Sequence, residues 1–199
     1  PKIVCDYAEI KMKGDTTPMR VVLVVDSSTG YLGATDVDQK GGSSGFAAKW
    51  MAKWLESTGY ARMKVQSDAE QAIEHLLKAV KTICTADLIV QRAPVKSHAS
   101  QGHVERAVRL VENQYRAVLF DVQERTRVEI DPISAASAWI LRHSVWLLNR
   151  YQPHKGGATS FERLTGSPYR SPILPLFTMV ECLVPSDRKP GGVLEVAKR

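Results

Sequence analysis

Apolar and polar positions along the chain change period several times, and each change marks an element. The stretch "IVCDYAEI" (3–10) is rich in β-branched and aromatic residues and has no Gly or Pro, so it reads as a strand. Successive side chains of a strand face opposite ways, which puts Val4, Asp6, Ala8 and Ile10 on one side with Asp6 as its only charge. "MRVVLVVDSS" and "TGYLGATDV" follow as two runs of strand length joined through Ser-Ser-Thr-Gly, a hairpin signal. Three adjacent antiparallel strands therefore open the chain.

After the loop "DQKGGSSG" the period becomes helical from Ser44. Phe46, Ala47, Trp50, Met51, Trp54 and Leu55 share one apolar face, Lys49, Lys53 and Glu56 lie opposite, and Gly59 supplies a stop. "ARMKVQS" reads as a fourth strand reached through that helix, hence parallel to a strand of the same sheet. "DAEQAIEHLLKAVKTI" is a helix with Ile73, Leu76, Leu77 and Val80 inward, and "ADLIVQRAP" is a fifth strand. Beyond a polar segment, a long helix is expected from about Gly102 to Val122 with Val104, Val108, Val111, Tyr115 and Val118 as its stripe. Another is expected from about Pro132 to Tyr151. A loop with a short helix, a late strand "LFTMVECLV" and a linker-like "PSDRKPGG" complete the reading. The expected class is α/β, a five-stranded mixed sheet in the order β-β-β-α-β-α-β-α flanked by helices. The expected organisation is a core over 1–152, an extension of it over 153–184, and a linker or tail over 185–199.

The 199 residues suffice for one domain that buries about 70% of its unfolded surface. With 44% hydrophobic and 24% charged residues, the composition excludes a disordered, collagen-like or disulfide-scaffold chain. No apolar run approaches the ~18 residues of a membrane span, and no signal-peptide pattern opens the chain. A start at Pro1 and an end at "EVAKR" suggest a piece of a longer protein. Cys5, Cys84 and Cys182 are widely spaced and never in a C-x-x-C pair, which points to a reducing compartment and away from structural zinc. A formal net charge of +6 favours a polyanionic partner such as nucleic acid.

Three acids carry the candidate chemistry. Asp6, ionised among aliphatic neighbours, would cost several kcal/mol unless compensated, either by a hydrogen-bond partner or Arg, or by a divalent cation. Asp68, at the end of the fourth strand, is explained by helix capping alone, since Ser67 and Glu70 form an S-x-x-E box and an Asp in a first turn complements the helix dipole. Glu105, on the flank of the long helix, would by default pair with Arg109 at i+4. The strand order offers a common explanation. If the first and fourth strands lie side by side, Asp6 and Asp68 meet at the sheet centre and a helix across that sheet brings Glu105, a hard-oxygen set suited to Mg²⁺ or Mn²⁺.

These motifs resemble the catalytic core of retroviral and long-terminal-repeat retrotransposon integrases, within the ribonuclease H-like polynucleotidyl transferases. The similar stretches are "CDYAEI", "VVLVVDSSTGYLGATDV", "VQSDAE" and "SHASQGHVERAVR", with 36 residues between Asp68 and Glu105, and further on "GATSFERLTGSPYR". Ala69 and Glu70 stand where many relatives have Asn-Gly after the second Asp. Glu112 stands where some carry a basic residue, while Arg109 matches a basic position. The resemblance implies Asp6, Asp68 and Glu105 as catalytic and metal-ligating residues holding two Mg²⁺ or Mn²⁺ ions, for trimming element DNA ends and joining them to target DNA. Lys96, Gln101, His103, Arg106 and Arg109 are candidate DNA contacts. It further implies double-stranded DNA as partner, a homo-oligomer, no membrane, and action in the nucleus, with passage through virus-like particles beforehand. Two alternatives stay open: another nuclease or transposase of the same fold, and a catalytically inactive core co-opted for DNA binding or assembly.

Overall fold

The structure is a computed structural model that describes residues 1–12, 16–41, 45–68, 70–92 and 98–180; within the last stretch, side chains are described at 102 and from 104 onward. Strands β1 (Lys2–Ile10), β2 (Met19–Asp26), β3 (Leu32–Asp36), β4 (Arg62–Ser67) and β5 (Asp87–Arg92) form one sheet in the order β3-β2-β1-β4-β5. The first three pair antiparallel, whereas β1–β4 and β4–β5 are parallel. The class and strand arrangement expected from the sequence are those observed.

Period-two alternation divides the core in two. Ile3, Cys5, Tyr7, Val22 and Val24 point to one face, where α1 (Phe46–Ser57) and α2 (Gln71–Ile83) cover them. Ile73, Leu76, Leu77 and Val80 of α2 are all fully or almost fully buried there. Val4, Ile10, Val21, Leu23 and Val25 point to the other face, beneath α3 (His98–Thr126) and α4 (Ala135–Tyr151). The α3 stripe buries Val104, Val111, Tyr115 and Val118 as expected; Ala107, Leu119 and Val122 join them, and Val108 is half-buried at the edge. Burial on both faces explains why β2 reads as a nearly continuous apolar run.

Several local expectations are corrected. Helix α1 begins at Phe46 after a left-handed Gly45 rather than at Ser44, and Phe46 is exposed. Helix α3 extends from His98 to Thr126, beyond both expected ends. Helix α4 starts at Ala135 because Ser134 caps it, accepting from the Ser137 amide. The late strand does not form over 176–180: Thr178 N donates to Pro175 O at 3.2 Å and Phe177 adopts φ 61°, so a turn interrupts the apolar run. Its remainder, 181–184, and the linker expected after it lie outside the described residues.

The edge strand β3 is held by two side chains. The buried Asn149 amide accepts from Leu32 N and donates to Leu32 O, both at 2.8 Å, so it satisfies backbone groups that no strand pairs. Trp54 of α1 lies over Gly33, where an added Cβ would sit 2.4 Å from the indole Nε1. Glycine is required there by close approach, with no unusual φ involved. Gly33→Ala should therefore displace Trp54 and destabilise the chain by about 1–3 kcal/mol. Urea unfolding followed by Trp fluorescence would show it as a lower midpoint, and an unchanged midpoint would contradict this packing.

Candidate active site

The site is built on the parallel register of β1 and β4. Lys2, Ile3 and Val4 pair with Lys64, Val65 and Gln66, and the same register continued past Val4 sets Asp6 level with Asp68, one residue beyond the end of β4. Asp6 faces the α3 side of the sheet, and there the first turns of α3 supply Val104, Glu105, Val108 and Arg109. A cleft of about 330 Å³ opens between them, lined by Asp6, Asp68, Glu105 and Arg109 around an apolar floor of Val4 and Val104.

Asp6 is half-buried, and its Oδ1 accepts from Tyr7 N at 2.8 Å. Burial first, then the neighbouring Asp68 and Glu70 charges, push its pKa up to about 6, against the opposing pull of the Tyr7 amide and Lys40. Cys5 behind it is fully buried and is held as a neutral thiol by burial and by the Asp6 and Asp68 charges. The sequence offered a hydrogen-bond partner or Arg as an alternative compensation for Asp6. Among the described residues one backbone amide is found and no ion pair, which leaves the carboxylate electrostatically unfavourable.

The Ser67–Glu70 capping box does not form. Glu70 is itself the N-cap of α2 and makes no side-chain cap bond, Ser67 Oγ donates to Asp68 O, and the Asp68 Oδ1 accepts from Glu70 N at 3.2 Å. Asp68 thus shapes the β4–α2 turn while its carboxylate stays beside Asp6. Glu70 is the residue that sequence reasoning missed: ligand oxygens of Asp6, Asp68 and Glu70 lie within 4.8 Å of one another. The only available signal was its place two residues after Asp68, and the capping pattern absorbed it. Lys40 Nζ donates to Glu70 Oε1 at 3.0 Å, so part of the Glu70 charge is already answered.

Glu105 is exposed on the cleft wall rather than inside that tight cluster. The expected i to i+4 pair does not form, since no ion pair within 4.0 Å joins Glu105 to Arg109 among the described residues. Instead Arg116 pairs with Glu112 one turn on. Of the candidate DNA contacts, Arg109 is in the acid cleft, whereas Arg106 points to a second cleft on the other flank of α3, with Ser27 and His154. Lys96 and the side chains of Gln101 and His103 lie outside the described residues. Among the described residues, the cluster that includes Asp6 is made of the Asp6, Asp68 and Glu70 carboxylates, a donor set that fits a hard divalent cation such as Mg²⁺ or Mn²⁺.

Stability should carry the Asp6 signature. Between the unfolded pKa near 3.9 and the folded value of about 6, the folded chain keeps a proton that the unfolded chain has released. Metal-free stability should therefore fall as pH rises through that window. Carboxyl chemical shifts on metal-free protein should show Asp6 titrating near 6 and moving down in Asp68→Asn. An ordinary Asp6 pKa would contradict the arrangement.

No family profile and no curated protein matches the chain by sequence. Solved structures do match by fold. The BIV integrase catalytic core superposes with a TM-score of 0.58 at 15% identity, covering 83% of this chain and 93% of that one. A chain of the simian T-cell lymphotropic virus intasome, in complex with the PP2A regulatory subunit B56 gamma, gives 0.58 at 18% identity; 93% of this chain is matched, against 59% of that chain. The HTLV-2 integrase catalytic core, in complex with magnesium and in a trimeric form, gives 0.55 at 14% identity, over 82% and 95%. The sheet order, the flanking helices and these superpositions together establish that the chain has the ribonuclease H-like fold of retroviral integrase catalytic cores.

Proposed function

We propose that the chain is an integrase core that cuts and joins DNA by metal-dependent phosphoryl transfer at Asp6, Asp68 and Glu105. The observation that carries this reading is the convergence of those three carboxylates, from β1, the β4–α2 turn and α3, on one cleft of the fold that integrase cores share. Asp6 and Asp68 are the inner pair; Glu105, on exposed helix, is the adjustable member. Arg109 opposes the phosphate charge from the same wall. Divalent ions bound here would lower the pKa of an attacking water or DNA 3′-hydroxyl and stabilise the leaving oxygen. The chain's own part is to position the scissile phosphate beside Arg109, so that attacking and leaving oxygens align and positioning supplies much of the rate. Water as nucleophile gives end trimming; a 3′-hydroxyl gives joining.

Two ions, a homo-oligomer on double-stranded DNA, and action in the nucleus complete the proposal. The magnesium-bound and trimeric HTLV-2 core and the viral intasome support a divalent cation and an oligomer on DNA by analogy of fold. The residues over 153–180 would serve as an extension of the core, with α5 (Ser160–Thr165) fastened to it.

A second reading is favoured by one observation: Glu70, rather than Glu105, completes the tightest carboxylate cluster. On that reading the acids shape a turn and the core serves DNA binding or assembly without chemistry. Joining assays with a labelled element-end duplex and Mn²⁺ separate the two. Asp6→Asn, Asp68→Asn and Glu105→Gln should each lower joining by at least about a hundredfold, an estimate drawn from the cost of losing one transition-state charge partner. Glu70→Gln should keep most of it. Loss on Glu70→Gln with activity retained in Glu105→Gln would contradict the assignment.

A further inference from the structure

The second cleft, about 390 Å³, lies across α3 from the acids. Its walls come from four places far apart in sequence: the β2–β3 turn, α3, the end of α4 and α5. Arg106, Arg163 and His154 line it, and among the described residues no carboxylate does. Neither arginine is in an ion pair with another described residue. Ser27 Oγ is buried at its edge and has no hydrogen-bond partner among the described residues.

The wall is closely built. Ser160 Oγ donates to Gly30 O at 2.9 Å, so its single proton is committed and it accepts from His154 Nε2 at 2.8 Å. Gly30, at φ 77°, permits this contact, because a Cβ there would sit 2.6 Å from His154 Cε1. Pro153 and Thr159 form a bridge that returns the loop carrying His154 against α5. His154 and Ser160 are therefore positioning residues for the wall. Among the described residues, the guanidiniums of Arg106 and Arg163 and the Gln152 amide line the cleft, with the unpartnered Ser27 hydroxyl buried in its wall, a donor set matched to a phosphate.

We infer that this cleft binds a backbone phosphate of the nucleic acid whose neighbouring phosphates occupy the acid cleft, with α3 as the ridge between them. Glu105 and Arg106 are consecutive, so one face of the α3 end presents the acid and the next the base. A helix is about 10–12 Å across with its side chains, a ridge that a few nucleotides cross. The inference rests on the proposed function for the identity of the polyanion, while the anion site itself rests on its own residues.

The test uses the 199-residue chain without divalent ions, measuring anisotropy of a short fluorescein-labelled duplex across a salt series. Arg163→Gln should reduce the slope of log Kobs against log salt by about 0.9, the value of one lost phosphate contact. Arg163→Lys should retain the slope, and Lys53→Gln, an equal charge loss on α1 across the sheet, should leave it unchanged. Equal effects of Arg163→Gln and Lys53→Gln, or no effect of Arg163→Gln, would overturn the inference. Amide shifts at Ser27 and Gly30 should move with duplex. Movement with millimolar inorganic phosphate alone, and none with duplex, would overturn it in favour of a free-anion pocket. A chain inactive in joining that still shows the Arg163 slope change would refute the proposed function and keep this site; the converse pattern would refute the site alone.

Discussion

The parallel pairing of β1 with β4 is the constraint on which the rest depends. It requires a crossover, which α1 supplies, and its register sets Asp6 level with Asp68 at the middle of the sheet. Burial first, and then repulsion from the Asp68 carboxylate beside it, leave Asp6 with a raised pKa. That state is costly for a fold and useful for a site that concentrates negative charge. Everything around it keeps the pair in place: β2 fixes β1 from the other side, α2 starts from the turn that Asp68 shapes, and α3 closes the cleft.

Helix α3 does two jobs with one amphipathic pattern. Val104, Ala107, Val111 and Tyr115 anchor it to the sheet through buried apolar contact. Its first described turns then point Glu105 and Arg109 to one side and Arg106 to the other. A core stripe that locks rotation of the helix thereby sets which charges face which cleft. The segment after α4 adds a further wall: Arg150 stacks on Trp146, Phe161 and Tyr169, with ring centres 4.7 to 5.1 Å from its guanidinium carbon, and ties α5 to α4.

Much of this was legible in the sequence because burial imposes period. The alternation in "IVCDYAEI" told which side Asp6 faces, and the change from period two to helical period located α1 and, with it, the crossover. Asp68 and Glu105 were singled out by the strand and helix order and by resemblance. What escaped was local competition between equivalent explanations. Glu70 fitted a capping box, yet the backbone made it the N-cap and left its carboxylate beside Asp6. Arg106 looked like a neighbour of Glu105, yet one residue on a helix is a turn of about 100°. The run "LFTMVECLV" had strand composition, but Pro175 and the left-handed Phe177 turned its first half away from pairing.

The central claim is that Asp6, Asp68 and Glu105 form the cation-binding centre. Anomalous scattering from crystals grown with Mn²⁺ tests it most directly. A peak should appear between the Asp6 and Asp68 carboxylates, with Glu105 turned toward the cleft and Glu70 still on Lys40. A peak held by Glu70 with Glu105 remote, or none beside Asp6 and Asp68, would contradict it.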